Sequence, residues 1–329
     1  MVCDADRRCY EAAVMATISS VSGPLDSDCL GFTLMHEHVL IADWSMRQAF
    51  PDYIEVESFL AEAVVELKQA VAAGVRTMVD LTPINLGRDI EIIRAAAEGS
   101  GMQILAATGF YFTEEPRLEW WSHEQLLDYL LRDLGEGIQG TGIKAAIIKC
   151  ATDRLGVTEL NRKLLEVSAR AHRRSGVPIS THSSAHHENG LLQQDVFEAE
   201  GVDLSRVVIG HCGDSQDLAY LEKILSRGST IGMDRFGVDM LLPTEQRVGT
   251  IVELCKRGWA KQMVLSHDAS CHIDWFSKEM LRQTAPRWNF LHIPADVVPS
   301  LREHGVAEEH IHAMTVANPA RIFASQGAY

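Results

Sequence analysis

GFTLMHEHVL, residues 31–40, is the stretch on which the reading of this chain turns. Side chains alternate faces along a strand, so in an extended segment His36 and His38 project together while Glu37 points away. Two imidazoles side by side make half of a divalent-metal site. The helical zinc-protease motif is excluded, because it needs its histidines four apart on a helix. Taken alone, the pair is equally an ordinary strand edge, so its meaning depends on what the rest of the chain brings beside it.

Working outward, short apolar runs alternate with helical patterns. VRTMVDL (75–81), MQILAATG (102–109), IKAAIIKC (143–150), VPISTHS (177–183), RVVIGHC (206–212), STIGMDR (229–235) and KQMVLSHD (261–268) read as strands. Helices are predicted at 58–74, near 87–100, near 123–136, and at 159–175, 190–200, 215–227 and 244–257. In the first, Ser58 is the candidate N-cap and Leu60, Val64, Leu67 and Val71 share a face. With the opening segment, eight βα units are what an α/β (β/α)8 barrel requires. An open doubly wound sheet is the alternative, but no glycine-rich phosphate loop follows an early strand. The domain expected is 21–329, after an N-terminal extension of residues 1–20 that is dispensable in part. Met15 opens a stretch that would also read as a start, which makes 1–14 dispensable. Residues 269–293 outrun the roughly 12–15 residues of ordinary loops and are expected to form a lid or binding loop after the last strand.

The 329 residues carry 45 acidic against 30 basic side chains, a formal charge of −15. Nothing forms a basic stripe, which argues against nucleic acid or an anionic membrane as partner. Seven scattered cysteines without a CxxC pair suggest reduced thiols in a cytoplasmic protein. There is no 18-residue apolar run.

Placed on the barrel, His36 and His38 belong to strand 1, Lys149 ends strand 4, His182 strand 5, His211 strand 6 and Asp268 strand 8. Apart from the opening pair, each stands where an apolar run stops, at the rim where barrel enzymes build their sites. Lys149 is the oddity, because an ammonium buried near imidazoles is costly and has no lone pair for a metal. Carbon dioxide can add to the neutral amine to give a carbamate, an anionic bridge. The alternative is an ion pair with Asp153.

In chain order the motifs HEH, IIKCATD, STHSSAH, VIGHCGD and LSHDASC resemble the phosphotriesterase family of the amidohydrolase superfamily, nearest to its phosphotriesterase-like lactonases. The resemblance covers nearly the whole chain from about residue 20. It implies a binuclear metal centre, with zinc foremost and cobalt, iron or manganese as alternatives. His36, His38 and Asp268 would hold the buried ion, His182 and His211 the exposed one, and carboxylated Lys149 and a hydroxide would bridge them. It implies a metal-dependent hydrolase that opens lactones, N-acyl-homoserine lactones of quorum signalling or plain γ/δ-lactones, by attack of that hydroxide. Weaker phosphotriesterase activity is expected beside it. A dedicated phosphotriesterase or a carboxylesterase is the alternative, and a homodimer is implied. Asp268 is the candidate proton acceptor, and Asp214 either pairs with His211 or caps the following helix. Tyr111, Arg235 and Trp275 match the lactonase branch. Phe110, Phe112, Trp275, Phe276 and Trp288 are expected to line an acyl channel. Thr113 departs from that branch, where another aromatic is common, and Glu114 and Glu115 add negative charge nearby.

Overall fold

The protein is described by a computed structural model over residues 16–324 and 327–329, so the expectation for residues 1–14 lies outside the described residues. A hairpin of β1 (Thr17–Ser20) and β2 (Gly23–Asp26) comes first. Ile18 of that hairpin is fully buried, so packing begins before residue 21. The sheet follows with β3 (Thr33–Ile41), β4 (Thr77–Asp80), β5 (Gln103–Gly109), β6 (Ile147–Ala151), β7 (Ile179–His182), β8 (Val207–Ile209), β9 (Thr230–Met233), β10 (Met263–Leu265) and β11 (Ser270–Ile273). All nine pair in parallel in the order β10-β9-β8-β7-β6-β5-β4-β3-β11, and helices connect the successive strands from β3 to β10. This is an α/β barrel. Among the described residues no helix is long and apolar enough to cross a membrane.

Every residue of β3 is buried on both faces, as a barrel strand wrapped by helices must be. The first helix runs Val56–Ala72, so Ser58 lies inside it and does not cap it. Its buried face is Phe59, Ala63, Leu67 and Ala70, one position round from the face expected. The two alanines let the helix approach closely, and Val64 turns sideways onto Gly99 of the helix Ile90–Ser100, where an added Cβ would meet it at 2.6 Å. The fourth barrel strand begins at Ile147, four residues later than expected. At Gly109 (φ +130°) a side chain would collide with the Lys149 carbonyl, so the glycine lets β5 and β6 converge where Lys149 stands.

The largest departure from the expected pattern is at the eighth strand. It pairs with β9 over Met263–Leu265, breaks, and resumes as β11, which pairs with β3 through Ser270 opposite His38. Residues 270–273 therefore close the barrel and are not lid, and the long insertion begins after them. The break is held by Glu37, the residue that faces away from the histidine pair. Its fully buried carboxylate accepts from Ser266 Oγ (2.8 Å), His267 N (2.9 Å), His267 Nδ1 (2.7 Å) and Ala269 N (2.8 Å). Glu37→Gln sets an amide NH2 against at least one of these donors, Ala269 N on one oxygen or the other three on its partner. We expect it to cost about 2–4 kcal/mol, read from urea unfolding, because buried donors are left unpaired.

Candidate metal centre

At the C-terminal ends of the strands, alternation along β3 carries His36 and His38 to the inside and Glu37 to the outside. Lys149 is buried (1% exposed), with Nζ 2.7 Å from His36 Nε2. His36 Nε2 and His38 Nε2 lie 3.3 and 3.2 Å from Asp268 Oδ1. His211 Nε2 is 2.9 Å from His182 Nδ1 and 3.8 Å from Asp268 Oδ2. The structure thus brings all six sequence-derived candidates into one cluster. Asp153 does not pair with Lys149; it lies 3.8 Å from His182 Nε2.

The opposite ring nitrogens are fixed from behind. Asp234 receives His36 Nδ1 on Oδ2 and His211 Nδ1 on Oδ1, each at 3.0 Å, and Thr82 Oγ1 meets His38 Nδ1 at 2.8 Å. His36, His211 and Asp234 also lie close enough to hold an ion among themselves. That arrangement is better read as orientation, since Asp234 does not line the cavity and hydrogen-bonds both rings through nitrogens turned from the cluster. His36, His38 and Asp268 form the other such group, and there the free atoms converge.

Protonation favours metal. Burial holds His36 and His211 below the ordinary imidazole value and pushes His182 down to about 4. The rings are then neutral near pH 7, with lone pairs free. Burial lowers Lys149 to about 8, so its neutral amine is within reach and open to carbon dioxide. For Asp268 burial favours the acid, but charged His36 and His211, the His38 hydrogen bond and Arg235 together hold its carboxyl well below the usual range. With the rings neutral near pH 7, the Arg235 guanidinium remains as its cationic partner. Neutral imidazoles, one carboxylate and an amine convertible to a carbamate fit two divalent ions; an ammonium at Lys149 would not.

The cluster opens into a cavity of about 320 Å³. Tyr111 and Arg235 stand at its polar end, and Val238, Met240, Leu241, Trp275, Phe276 and Met280 line the rest. Tyr111 Oη is 3.4 Å from His182 Nδ1, and burial raises its hydroxyl pKa, so it stays protonated. Trp275 is 54% exposed at the mouth. Trp288 lines the cavity as expected, but Phe110 is buried in the hydrophobic core and Phe112 packs on Tyr111 and His182. Neither lines the cavity, because the turn after β5 directs only Tyr111 inward. Glu114 and Glu115 line a separate surface cleft.

The family model of the phosphotriesterase family matches residues 16–323. The chain belongs to that family. A phosphotriesterase homology protein of Mycobacterium tuberculosis is 45% identical over 325 residues, covering 96% of this chain and 100% of that one. An aryldialkylphosphatase of Saccharolobus solfataricus is 37% identical over 303 residues, 91% of this chain and 96% of that one. The solved structure of the phosphotriesterase from Mycobacterium tuberculosis superposes with a TM-score of 0.93 at 45% identity, covering 95% of this chain and 100% of that one. Members of the phosphotriesterase family are metal-dependent hydrolases, and so is this chain.

Two residues escaped the sequence reading. Asp214 does not pair with His211 through its side chain, and Asp217 caps the helix Leu218–Ser226. Asp234 orients His211 instead. It follows an apolar strand as directly as Asp268 does, and that position was the available signal. Thr82, beyond the end of β4, gave none.

Asp234→Asn leaves at most one good hydrogen bond for two imidazoles. We expect it to weaken metal retention and turnover by about 10–100-fold, measured by chelator challenge and steady-state kinetics. Metal-free protein should also lose stability in acid. The His182 pKa is depressed from 6.5 to about 4, so the unfolded chain binds the extra proton over that window. The stabilisation is whole above pH 6.5 and falls away as pH drops towards 4, a trend that urea midpoints at several pH values would read.

Proposed function

We propose that this phosphotriesterase-family hydrolase is a lactonase acting on lactones with an apolar tail, N-acyl-homoserine lactones among them, with phosphotriester hydrolysis as a weaker side activity. The observation that carries the reading is the cavity: a polar end at the donor cluster, and beyond it an apolar wall of Val238, Met240, Leu241, Trp275, Phe276 and Met280. A lactone ring with an acyl chain has the same division of polarity.

In this reading His36, His38 and Asp268 hold one divalent ion and His182 and His211 a second, zinc being the foremost candidate. Lys149, as its carbamate, would complete the set of anionic ligands. When bound, two such ions supply an acidified water and polarise the ester carbonyl. Tyr111, protonated beside His182, donates to the ring ester oxygen and orients the lactone. Asp268, ionised beside Arg235, takes the proton released as water attacks. Arg235 adds positive charge where the tetrahedral oxyanion develops. Trp275, at the mouth, covers the acyl chain and excludes water from it.

The second reading is a dedicated phosphotriesterase, favoured by the likeness to the aryldialkylphosphatase of Saccharolobus solfataricus. The two are separated by kcat/KM on one metal-loaded preparation for a long-chain acyl-homoserine lactone, a δ-lactone and a phosphotriester. We expect the lactones to lead by more than about a hundredfold, the kind of discrimination a fitted pocket delivers. A phosphotriester lead would overturn the lactonase reading. Lys149→Ala should abolish turnover on every ester, with partial recovery in added short-chain carboxylate; full activity without it would refute the carbamate.

A further inference from the structure

Arg247 is the bulkiest side chain that the described residues bury completely. It stands at the fourth position of the helix Thr244–Lys256, near the end whose dipole disfavours a cation. Burying a guanidinium is costly unless it is paired, and an apolar side chain of similar volume usually serves stability as well. Its Nη2 has no hydrogen-bond partner among the described residues, so the site is not tuned for the arginine's own comfort.

The other donors converge on the rim. Arg247 Nε donates to the Leu242 carbonyl (2.9 Å), and Nη1 donates to those of Gly213 (2.7 Å) and Asp234 (3.2 Å). Nη1 also lies 2.8 Å from Asp214 Oδ1, a buried ion contact that lacks hydrogen-bond geometry and leaves that oxygen held by charge alone. Asp214 Oδ2 accepts from Arg235 Nη1 (2.9 Å), and Arg235 Nε donates to Asp268 Oδ2 (3.1 Å). Charges alternate along Arg247, Asp214, Arg235 and Asp268, from the full interior to the cavity. The turns that Arg247 grips are strained. His211 (φ 60°), Arg235 (φ 63°) and Asp268 (φ 56°) end the sixth, seventh and eighth barrel strands, all in the left-handed region that L side chains avoid. Gly213 lies two residues past the first, and Asp234 immediately precedes the second.

We propose that Arg247, which touches neither the cavity nor the donor cluster, is a positioning residue for hydrolysis: through Asp214 it sets the pose of Arg235 and thereby of Asp268. This rests on the reading of Asp268 and Arg235 as working groups of the site. Without the inner arginine, Asp214 has Arg235 as its only cationic partner among the described residues and draws it away from Asp268. Asp268 then keeps its histidine contacts but loses the donor that fixes its second oxygen.

The test compares Arg247→Met and Arg247→Lys with wild type, fully metal-loaded, on a lactone and a phosphotriester. We expect Arg247→Met to lower kcat by about 10–100-fold on whichever ester is turned over. KM should move by less than about threefold, because ground-state binding is untouched. Circular dichroism and metal content should stay as in wild type, and Arg247→Lys should recover part of kcat. A crystal structure of Arg247→Met should show the 3.1 Å contact between Arg235 and Asp268 lost and the donor cluster retained. A lower Tm with wild-type kcat per folded, metal-loaded molecule would overturn the proposal. Should Arg247→Met fail to fold, Asp214→Asn decides, since it leaves the three carbonyl contacts of Arg247 in place. The same kcat loss supports the chain of charges, and wild-type kcat refutes it. A phosphotriester preference would sink the lactonase reading and leave this test intact, because the kcat ratio is read on either ester.

Discussion

The barrel closes because one buried carboxylate takes four hydrogen bonds. Glu37 sits on the outer face of β3 and gathers Ser266, His267 and Ala269, the residues at which the eighth strand leaves β9 and joins β3. A continuous strand would carry its side chains past the rim in simple alternation. The break lets Asp268 adopt a left-handed backbone, with its N–H on the His36 carbonyl (3.0 Å) and its carboxylate over the imidazoles. Ser266 Oγ receives the His36 N–H (2.7 Å) while donating to Glu37. The same three-residue motif that supplies two donors to the cluster therefore also supplies the clamp that aims a third. His267 extends the clamp outward, since its Nε2 accepts the Ile293 N–H (2.9 Å) and its carbonyl accepts Trp288 Nε1 (2.8 Å).

Around this frame the electrostatics are arranged for cations to arrive. Burial keeps His36, His182 and His211 neutral, and the carboxylates nearby are paired: Asp234 between two rings, Asp268 with Arg235. An assembly of unprotonated donors with fixed orientation needs little reorganisation when an ion enters, and that preorganisation is what the rings' outer hydrogen bonds provide. Lys149 is the member whose usual protonation state opposes the others. Its burial among them weakens that state, in the direction that makes covalent capture of carbon dioxide feasible.

What could be read from the chain followed from periodicity and from strand ends. Helices such as Glu159–Ser175 fell where their patterns and glycine stops put them, because both signals are local. His36, His38, Lys149, His182, His211 and Asp268 were legible because a barrel brings every strand end to one rim, so position within a run stands in for position in space. The failures at the site involved partners distant in the chain or the facing of side chains on a turn. Choosing Asp214 over Asp234 for His211 needed the knowledge that His211 takes a left-handed turn and swings its ring towards the next strand. Phe110 and Phe112 flank Tyr111 in sequence, but alternation cannot say which of three aromatics on a turn faces inward. The broken eighth strand was invisible because its cause, Glu37, lies more than 200 residues away.

The molecule also divides a rigid donor cluster from a more loosely held apolar wall. The donor cluster rests on buried, mutually hydrogen-bonded groups of the barrel, and substitution there disturbs several partners at once. The apolar wall has looser support. The helix Lys278–Thr284 buries none of its residues, with the main cavity on one side and a second cleft of about 420 Å³ on the other. Surface ion pairs anchor its ends, Lys278 to Glu62 before it and Arg287 to Asp239 and Glu245 after it. Such pairs contribute about 0–1 kcal/mol each, so this wall can be remodelled at small cost in stability. The wall at Trp275, Phe276 and Met280 can therefore repack while the donor cluster stays as it is.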